Sequence, residues 1–217
     1  MTNLDHAGLM DRVYRRQRHV YDASRKYYLV GRDEMLAGLN VPATGSVLEI
    51  GCGTGRNLVK AAGLYPRAGL FGIDISREML ETAGHAVFNA GLQSRTRLAY
   101  ADAAAFDSEL TFNRKIFDRI FISYAVSMIP SWQAVMENAV ARLAPGGELH
   151  VVDFGDLRDL PRWTRSALHK WLSWYHVKPR ALLFQTGKDI AARHGCATVE
   201  RRLYRGFAWV LVIRKGF

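Results

Sequence analysis

Short apolar segments alternate with amphipathic segments through the middle of the chain. Buried-strand patterns lie at residues 46–50, 70–73, 96–100, 117–123 and 148–153. Helical spacing of apolar residues follows three of them, at 57–64, from 77 onward and at 132–143. Ser76 precedes the second of these helices as an N-cap residue. Strands that alternate with helices indicate βαβ units, so we predict a doubly wound, mostly parallel α/β sheet.

The two ends of the chain depart from this alternation. Residues 6–39 contain no proline and have helical spacing, which predicts a helix. A tryptophan-rich basic helix is predicted near 161–175. Two strands near 199–204 and 208–214 are separated by only three residues, which indicates an antiparallel hairpin.

We therefore predict a single domain over residues 1–217. A helical cap over the site (1–39) precedes the cofactor-binding core (40–155), and the basic helix and final strands follow (156–217). A chain of 217 residues buries enough surface to form its own core. The two cysteines, far apart in the sequence, match no metal-site spacing and are predicted to be reduced thiols, so no metal is expected.

The glycine loop at 51–55 is the strongest chemical motif. Gly51, Gly53 and Gly55 follow a buried strand at alternate positions, where they permit a sharp turn and close approach of a ligand. Glu49 lies two residues before the first glycine. A carboxylate there would repel a diphosphate but would suit a cofactor that carries an ammonium and a sulfonium group. This argues against a nicotinamide dehydrogenase.

Two further carboxylates follow the next two strands. Asp74 ends the second strand, where an acid can accept both hydroxyls of a ribose. Asp102 follows the third strand, where it can bind an adenine amino group. Because the carboxyl ends of parallel strands meet at one crevice, three acids at three consecutive strand ends predict a nucleoside site.

These motifs resemble the class I S-adenosylmethionine-dependent methyltransferases, whose Rossmann-like sheet has seven strands and a reversed final hairpin. The apolar and glycine-containing run over 143–154 is a further match. The resemblance implies S-adenosylmethionine as cofactor, S-adenosylhomocysteine as product, and the three glycines beneath the methionine moiety. It also implies that Asp74 holds the ribose, with the other nucleoside and methyl-donor contacts made by Ile75, Met79, Asp102, Ala103 and Ser123.

Several segments outside the cofactor motifs are similar to the N-methyltransferases of betaine-lipid synthesis. They are residues 10–22, 25–33, 123–130, 150–156 and 205–208, together with the tryptophan-rich helix. Those enzymes methylate the amino group of diacylglyceryl-homoserine up to the trimethyl form. The resemblance implies the same lipid substrate here, and it makes the enzyme that produces the homoserine lipid a candidate partner.

Several residues are candidates for the acceptor side of the reaction. Tyr14, Tyr21 and Tyr28 recur every seven residues and would share a helix face, which could attract a quaternary ammonium group or simply pack in the core. Arg32 suits a bidentate contact with the cofactor carboxylate. His150 and Asp153 are candidate proton acceptors, although His150 would equally suit a structural role in its strand.

Charge is concentrated at the two ends of the chain. Of the net charge of +10, residues 1–32 carry +4 and residues 151–217 carry +8, whereas the middle carries −2. Basic ends favour an anionic partner, and the tryptophan-rich helix resembles an interfacial membrane helix, although it could be an ordinary core helix. Without a signal peptide or a membrane-spanning run, we predict a cytoplasmic protein associated peripherally with the membrane.

Two other acceptors remain as alternatives. A phospholipid amine such as phosphatidylethanolamine would require the same chemistry. An RNA methyltransferase would also suit the positive charge. The sequence after the fourth strand argues against a nucleic-acid substrate, because residues 123–126 lack the Asn/Asp-Pro-Pro-aromatic motif of base-amine methyltransferases. The intact glycine loop and acids argue against a non-catalytic scaffold.

Overall fold

The computed structural model describes residues 29–157 and 177–217. Tyr14, Tyr21, Tyr28 and the predicted helix at 161–175 lie outside the described residues. No helix in the described ranges is long and apolar enough to cross a membrane. No group of three potential metal ligands occurs in the same ranges.

Seven strands form one sheet in the order β3-β2-β1-β4-β5-β7-β6. The strands are β1 (Ser46–Ile50), β2 (Gly69–Asp74), β3 (Thr96–Tyr100), β4 (Phe117–Ser123), β5 (Leu143–Phe154), β6 (Cys196–Leu203) and β7 (Ala208–Lys215). The first five pair in parallel, and β7 runs antiparallel to both β5 and β6. The predicted mostly parallel sheet with a C-terminal antiparallel hairpin is thereby confirmed.

Helices cover both faces of the sheet. They are α1 (Arg32–Ala37), α2 (Arg56–Leu64), α3 (Arg77–Asn89), α4 (Ser108–Phe112), α5 (Trp132–Ala141) and α6 (Leu183–Arg193). Buried side chains of α1 and α2 pack against one face, and those of α5 and α6 pack against the other. Central strands such as β1 are buried along their whole length, as the continuous apolar runs predicted.

The structure corrects the sequence prediction in three places. Gly31 adopts φ 80° and begins α1, so a continuous helix through residues 29–39 is wrong. The Pro-Gly-Gly segment 145–147 lies within β5, where the pairing with β4 shifts register, so the strand begins at Leu143 and not at residue 148 as predicted. Helices α4 and α6 were not predicted. Their segments are short or are interrupted by glycine, which weakens the periodic signal.

Candidate functional site

The carboxyl ends of the strands bring the predicted cofactor residues together. Strands β1, β2 and β3 lie side by side, and β4 lies on the other side of β1. Successive strands therefore join the sheet on one side of β1 up to β3 and on the other side from β4 onward. Open α/β sheets bind their ligands at this switch point between β1 and β4. The glycine loop follows β1, Asp74 ends β2 and Asp102 follows β3.

Two glycines of the loop have backbone angles and close contacts that exclude larger residues. Gly51 has φ 71°, and a Cβ built on it would lie 2.9 Å from the Cβ of Ala125. Gly55 has φ 76°, and its Cβ would lie 3.0 Å from that of Ala83 in α3. Positive φ and close approach both favour glycine at these positions. Next to Gly53 there is open space instead, since an added Cβ would meet no described atom within 4 Å.

Glu49 is buried directly beneath this loop. One carboxyl oxygen, Oε1, accepts a hydrogen bond from Nδ2 of Asn57 at 2.8 Å, in the first turn of α2. The other oxygen, Oε2, is buried without a hydrogen-bond partner among the described residues. Burial, against the Asn57 hydrogen bond that lowers it and together with the charge of Asp74, raises the pKa of Glu49 to about 8.

The carboxylate of Asp74 joins the loop to the start of α3. Its Oδ2 accepts the Gly53 N–H at 2.8 Å and its Oδ1 accepts the Ser76 N–H at 2.9 Å. The Ser76 hydroxyl in turn accepts the Met79 N–H at 3.3 Å, which confirms the predicted N-cap. Asp74 therefore sets the backbone on both sides of the predicted ribose position, with Ile75 beside it and half-buried.

Asp102 lies in the turn after β3. Its Oδ1 accepts the Ala104 N–H at 3.0 Å, and the Ala103 carbonyl accepts a hydrogen bond from Asn138 of α5 at 3.0 Å. Both contacts fix the backbone of this turn next to β2. The predicted adenine contacts thus lie at the same edge of the sheet as Asp74.

Ser123 and Arg32 lie on the β4 side of the glycine loop. The Ser123 hydroxyl is buried and has no hydrogen-bond partner in the described ranges. Arg32 is buried at the start of α1, where its Nε donates to the Leu29 carbonyl at 3.2 Å. Its positive charge lowers the pKa of Glu49.

Asp153 lies near the carboxyl end of β5 and is buried. Its Oδ2 accepts the Ser127 N–H at 2.9 Å, and its Oδ1 accepts the Phe154 N–H at 2.7 Å. Burial raises the pKa of Asp153 to about 6, against the hydrogen bonds from Ser127 and Phe154 that lower it. Both oxygens therefore already bind backbone groups of the protein.

His150 occupies a structural position within β5. Its Nε2 lies 2.8 Å from a carboxylate oxygen of Glu148. Glu148 also pairs with the guanidinium groups of Arg119 and Arg214. In the strand register Phe121 separates His150 from Glu49. The structure thus places the imidazole in an ion cluster inside the sheet and does not bring it together with the strand-end carboxylates.

Three residues that the sequence analysis did not single out complete this edge of the sheet. Asn57 binds Glu49. Tyr124, which follows β4 with φ 54°, donates its hydroxyl hydrogen to the Val30 carbonyl at 2.7 Å. Arg180 binds the carbonyls of Val126 and Ile129. Only Asn57, eight residues after Glu49 in the first turn of the following helix, left a signal in the sequence.

The chemistry and spacing of these residues fit S-adenosylmethionine. The unpartnered oxygen of Glu49 is an acceptor suited to a cationic ligand, and Gly53 leaves open space above the loop. Asp74 and Asp102 offer carboxylates at neighbouring strand ends, suited to ribose hydroxyls and an exocyclic amine. When bound, the cofactor supplies an electrophilic methyl group.

Comparison with known proteins agrees with this assignment. A model of the methyltransferase domain matches residues 47–147. The phosphatidylethanolamine N-methyltransferase of Cereibacter sphaeroides is 36% identical over 110 residues, which is 50% of this chain and 50% of that protein. The chain spans about half the length of the curated relatives it matches.

Solved structures share the fold. An O-methyltransferase family protein from Burkholderia thailandensis superposes with a TM-score of 0.72 at 16% identity, covering 93% of this chain and 60% of that one. Phosphoethanolamine N-methyltransferase 2 of Haemonchus contortus, solved with S-adenosylmethionine, gives a TM-score of 0.69 at 16% identity, covering 86% and 52%. Residues 47–147 therefore match a methyltransferase domain, and the described fold is the one that these solved methyltransferases have.

Proposed function

We propose that this protein is an N-methyltransferase that successively methylates the amino group of diacylglyceryl-homoserine to form its trimethyl betaine. The observation that carries N-methylation of a lipid amine is the 36% identity to a phosphatidylethanolamine N-methyltransferase over 110 residues. The choice of the homoserine lipid rests on the resemblance of the N-terminal and C-terminal segments to betaine-lipid enzymes. Phosphatidylethanolamine is the alternative acceptor.

The reaction requires only alignment and a neutral amine. The nitrogen lone pair forms a bond to the methyl carbon while the bond from that carbon to sulfur breaks, leaving S-adenosylhomocysteine. The new ammonium then loses a proton to water before the next methylation. The displacement is in line, so holding donor and acceptor together in that geometry lowers the activation barrier, by up to about 7–11 kcal/mol.

Each part of the site has a role in this proposal. Gly51, Gly53 and Gly55 provide the bed for the methionine moiety, and Asp74 holds the ribose. Glu49 provides negative charge close to the cationic end of the cofactor. The hydroxyl of Ser123 is buried without a partner in the described part of the chain, and we assign it to the place where the methyl group and the acceptor meet.

We further propose that the protein acts at the membrane surface. The net charge of +8 over residues 151–217 favours contact with anionic lipid head groups on the cytoplasmic face. An enzyme that makes the homoserine lipid is the proposed partner, because its product would be this protein's substrate.

A methyl-transfer assay tests the proposed function. Labelled S-adenosylmethionine is offered with diacylglyceryl-homoserine or phosphatidylethanolamine in separate mixed micelles, and products are identified by mass spectrometry. Mono-, di- and trimethylated homoserine lipid is the expected result. Methylation of phosphatidylethanolamine alone would replace the proposed substrate, and no transfer to either lipid would overturn lipid N-methylation and make RNA the next acceptor to test.

A further inference from the structure

The loop between β4 and α5, residues 124–131, borders the glycine loop directly. The Cα of Gly51 is so close to Ala125 that an added Cβ would lie 2.9 Å from the alanine methyl group. The β4–α5 loop also follows Ser123, on the opposite side of the switch point from the nucleoside carboxylates. A second substrate that approaches the cofactor from this side would therefore meet the β4–α5 loop.

Two side chains from other parts of the chain hold the backbone of this loop. The carboxylate of Asp153 accepts the Ser127 N–H at 2.9 Å. The guanidinium of Arg180 donates from Nε to the Val126 carbonyl at 3.1 Å and from Nη2 to the Ile129 carbonyl at 2.7 Å. A negative group thus binds the donor and a positive group binds two acceptors within four consecutive residues, which gives strong charge-assisted hydrogen bonds.

The surroundings make this arrangement sensitive to loss of either charge. Asp153 is 1% exposed, and the positive charge of Arg180 lowers the pKa of Asp153. The backbone N–H of Lys178 adds a hydrogen bond to the Ser127 carbonyl at 3.0 Å. Removing the charge of the half-buried Arg180 leaves the buried Asp153 without compensation, so the loop would relax rather than keep its place.

We propose that Asp153 and Arg180 are positioning residues that align the acceptor amine by fixing the β4–α5 loop against the glycine loop. This inference rests on the proposed N-methylation of a lipid amine, and it replaces proton abstraction as the role of Asp153. Asp153 is buried and both its oxygens accept backbone N–H groups, so the carboxylate acts through the loop. A displaced loop would misalign the in-line attack and reduce the rate.

The central experiment compares Arg180→Lys with Arg95→Lys. Like Arg180, Arg95 donates to backbone carbonyls, in its case those of Ala62, Tyr65 and Ala68. It lies just before β3, at the amino ends of the strands and so away from the candidate site. Lysine keeps the charge and loses the planar fork in both variants. We expect Arg180→Lys to lower kcat/KM for the lipid at least tenfold with the S-adenosylmethionine Kd within twofold. Arg95→Lys should lose similar thermal stability and keep kcat/KM.

A double-mutant cycle with Asp153→Asn distinguishes positioning from base catalysis. If the two residues act together on the loop, the double variant loses no more activity than the more impaired single variant. The pH profile of kcat/KM should also keep the shape of the wild-type profile. The proposal would be overturned if Arg180→Lys kept the wild-type kcat/KM, or if the losses of kcat/KM in the two single variants added up in the double variant. It would also be overturned if the acidic limb of the pH profile disappeared in Asp153→Asn and not in Arg180→Lys.

Amide hydrogen exchange separates failure of this inference from failure of the proposed function. It is measured on the full chain with S-adenosylmethionine and no acceptor. In Arg180→Lys, exchange of the peptide covering 124–131 should accelerate at least tenfold, with that covering 46–55 unchanged. Unchanged exchange at 124–131 would overturn the inference even if the wild type methylates lipid. Accelerated exchange would support it even if both lipids prove to be wrong acceptors.

Discussion

At the scale of single residues, the carboxyl of Glu49 has the most unusual environment. It is buried, has one hydrogen bond from Asn57 and lies near the charge of Asp74. A carboxyl held this way prefers its neutral form when no cationic ligand is present. The same feature that prepares it for a cationic cofactor therefore makes the cofactor-free protein sensitive to pH.

We predict that Glu49→Gln stabilises the cofactor-free protein at alkaline pH. The folded pKa of about 8 exceeds the ordinary value of 4.5, so the folded state holds the proton more tightly than the unfolded state. Stability from this group is present below pH 4.5 and is lost as pH rises through 8. Relative to the Glu49→Gln variant, the wild type should lose on the order of 2–4 kcal/mol of unfolding free energy between about pH 5 and 9. The same pH dependence of urea denaturation in both proteins would contradict this.

We predict that Asp74→Asn weakens S-adenosylmethionine binding about 10- to 100-fold, since a charged hydrogen-bond acceptor typically contributes about 1.5–3 kcal/mol. Titration calorimetry measures the Kd. Asp107→Asn is the control, because Asp107 caps α4 with two backbone N–H groups and is exposed. Equal affinities for Asp74→Asn and the wild type would refute the ribose assignment.

Prediction from the sequence was most effective for residues fixed by strand position. Glu49, Asp74 and Asp102 could be assigned because a carboxylate at a strand end needs only the strand pattern to be located. Tyr124 and Arg180 could not, since each binds a backbone carbonyl far away in the sequence. His150 is the opposite case, because its partner is close in the sequence. Glu148, two residues earlier in β5, lies on the same face of the sheet and contacts the imidazole ring.

At the scale of elements, Arg119 links the sheet to the end of α1. From β4 its guanidinium donates to the carbonyls of Leu39 and Asn40, and it lies 3.9 Å from a Glu148 oxygen. The helix is short, so its place on the sheet depends on such contacts.

We predict that Arg119→Ala lowers the unfolding free energy by about 2–4 kcal/mol, because two carbonyls and one partly buried carboxylate lose a partner. For a chain of 217 residues this corresponds to a Tm lower by about 5–10 °C. Arg193→Ala is the control: its pair with Glu137 is exposed, and such pairs contribute about 1 kcal/mol or less. Similar melting temperatures for both variants would contradict the proposed role of Arg119.

Element boundaries were predictable where the apolar run itself ends. Strands β3 and β4 begin and end where the pattern placed them. The register shift in β5 was not predictable, because the Pro-Gly-Gly sequence also suits a turn and only pairing with β4 and β7 selects the strand.

At the scale of the whole molecule, the positive charge is separated from the cofactor core. Residues 33–150 carry a net charge of −2, whereas both flanking segments are basic. The β6–β7 turn adds Arg205, close to the end of β5. An anionic membrane surface would therefore be attracted mainly to the two flanking segments.

We predict that replacing Trp171 and Trp174 together by alanine reduces co-sedimentation with anionic liposomes at least fivefold. Both residues belong to the basic, tryptophan-rich sequence segment, and interfacial tryptophans contribute to membrane affinity. Leu110→Ala is the control, since this leucine is 87% exposed on α4. Equal binding of the double variant and the wild type would contradict an interfacial role.

The sequence by itself determined the sheet architecture and the position of the carboxylates at neighbouring strand ends, because strand periodicity and the residues that follow a strand are local properties. Tertiary structure alone decided which groups neutralise or engage these side chains. The raised pKa of Glu49 follows from burial, and the role of Asp153 follows from a loop that folds back onto it. The burial of Glu49 and the contact of Asp153 with Ser127 depend on segments distant in the chain, so no local pattern encodes them.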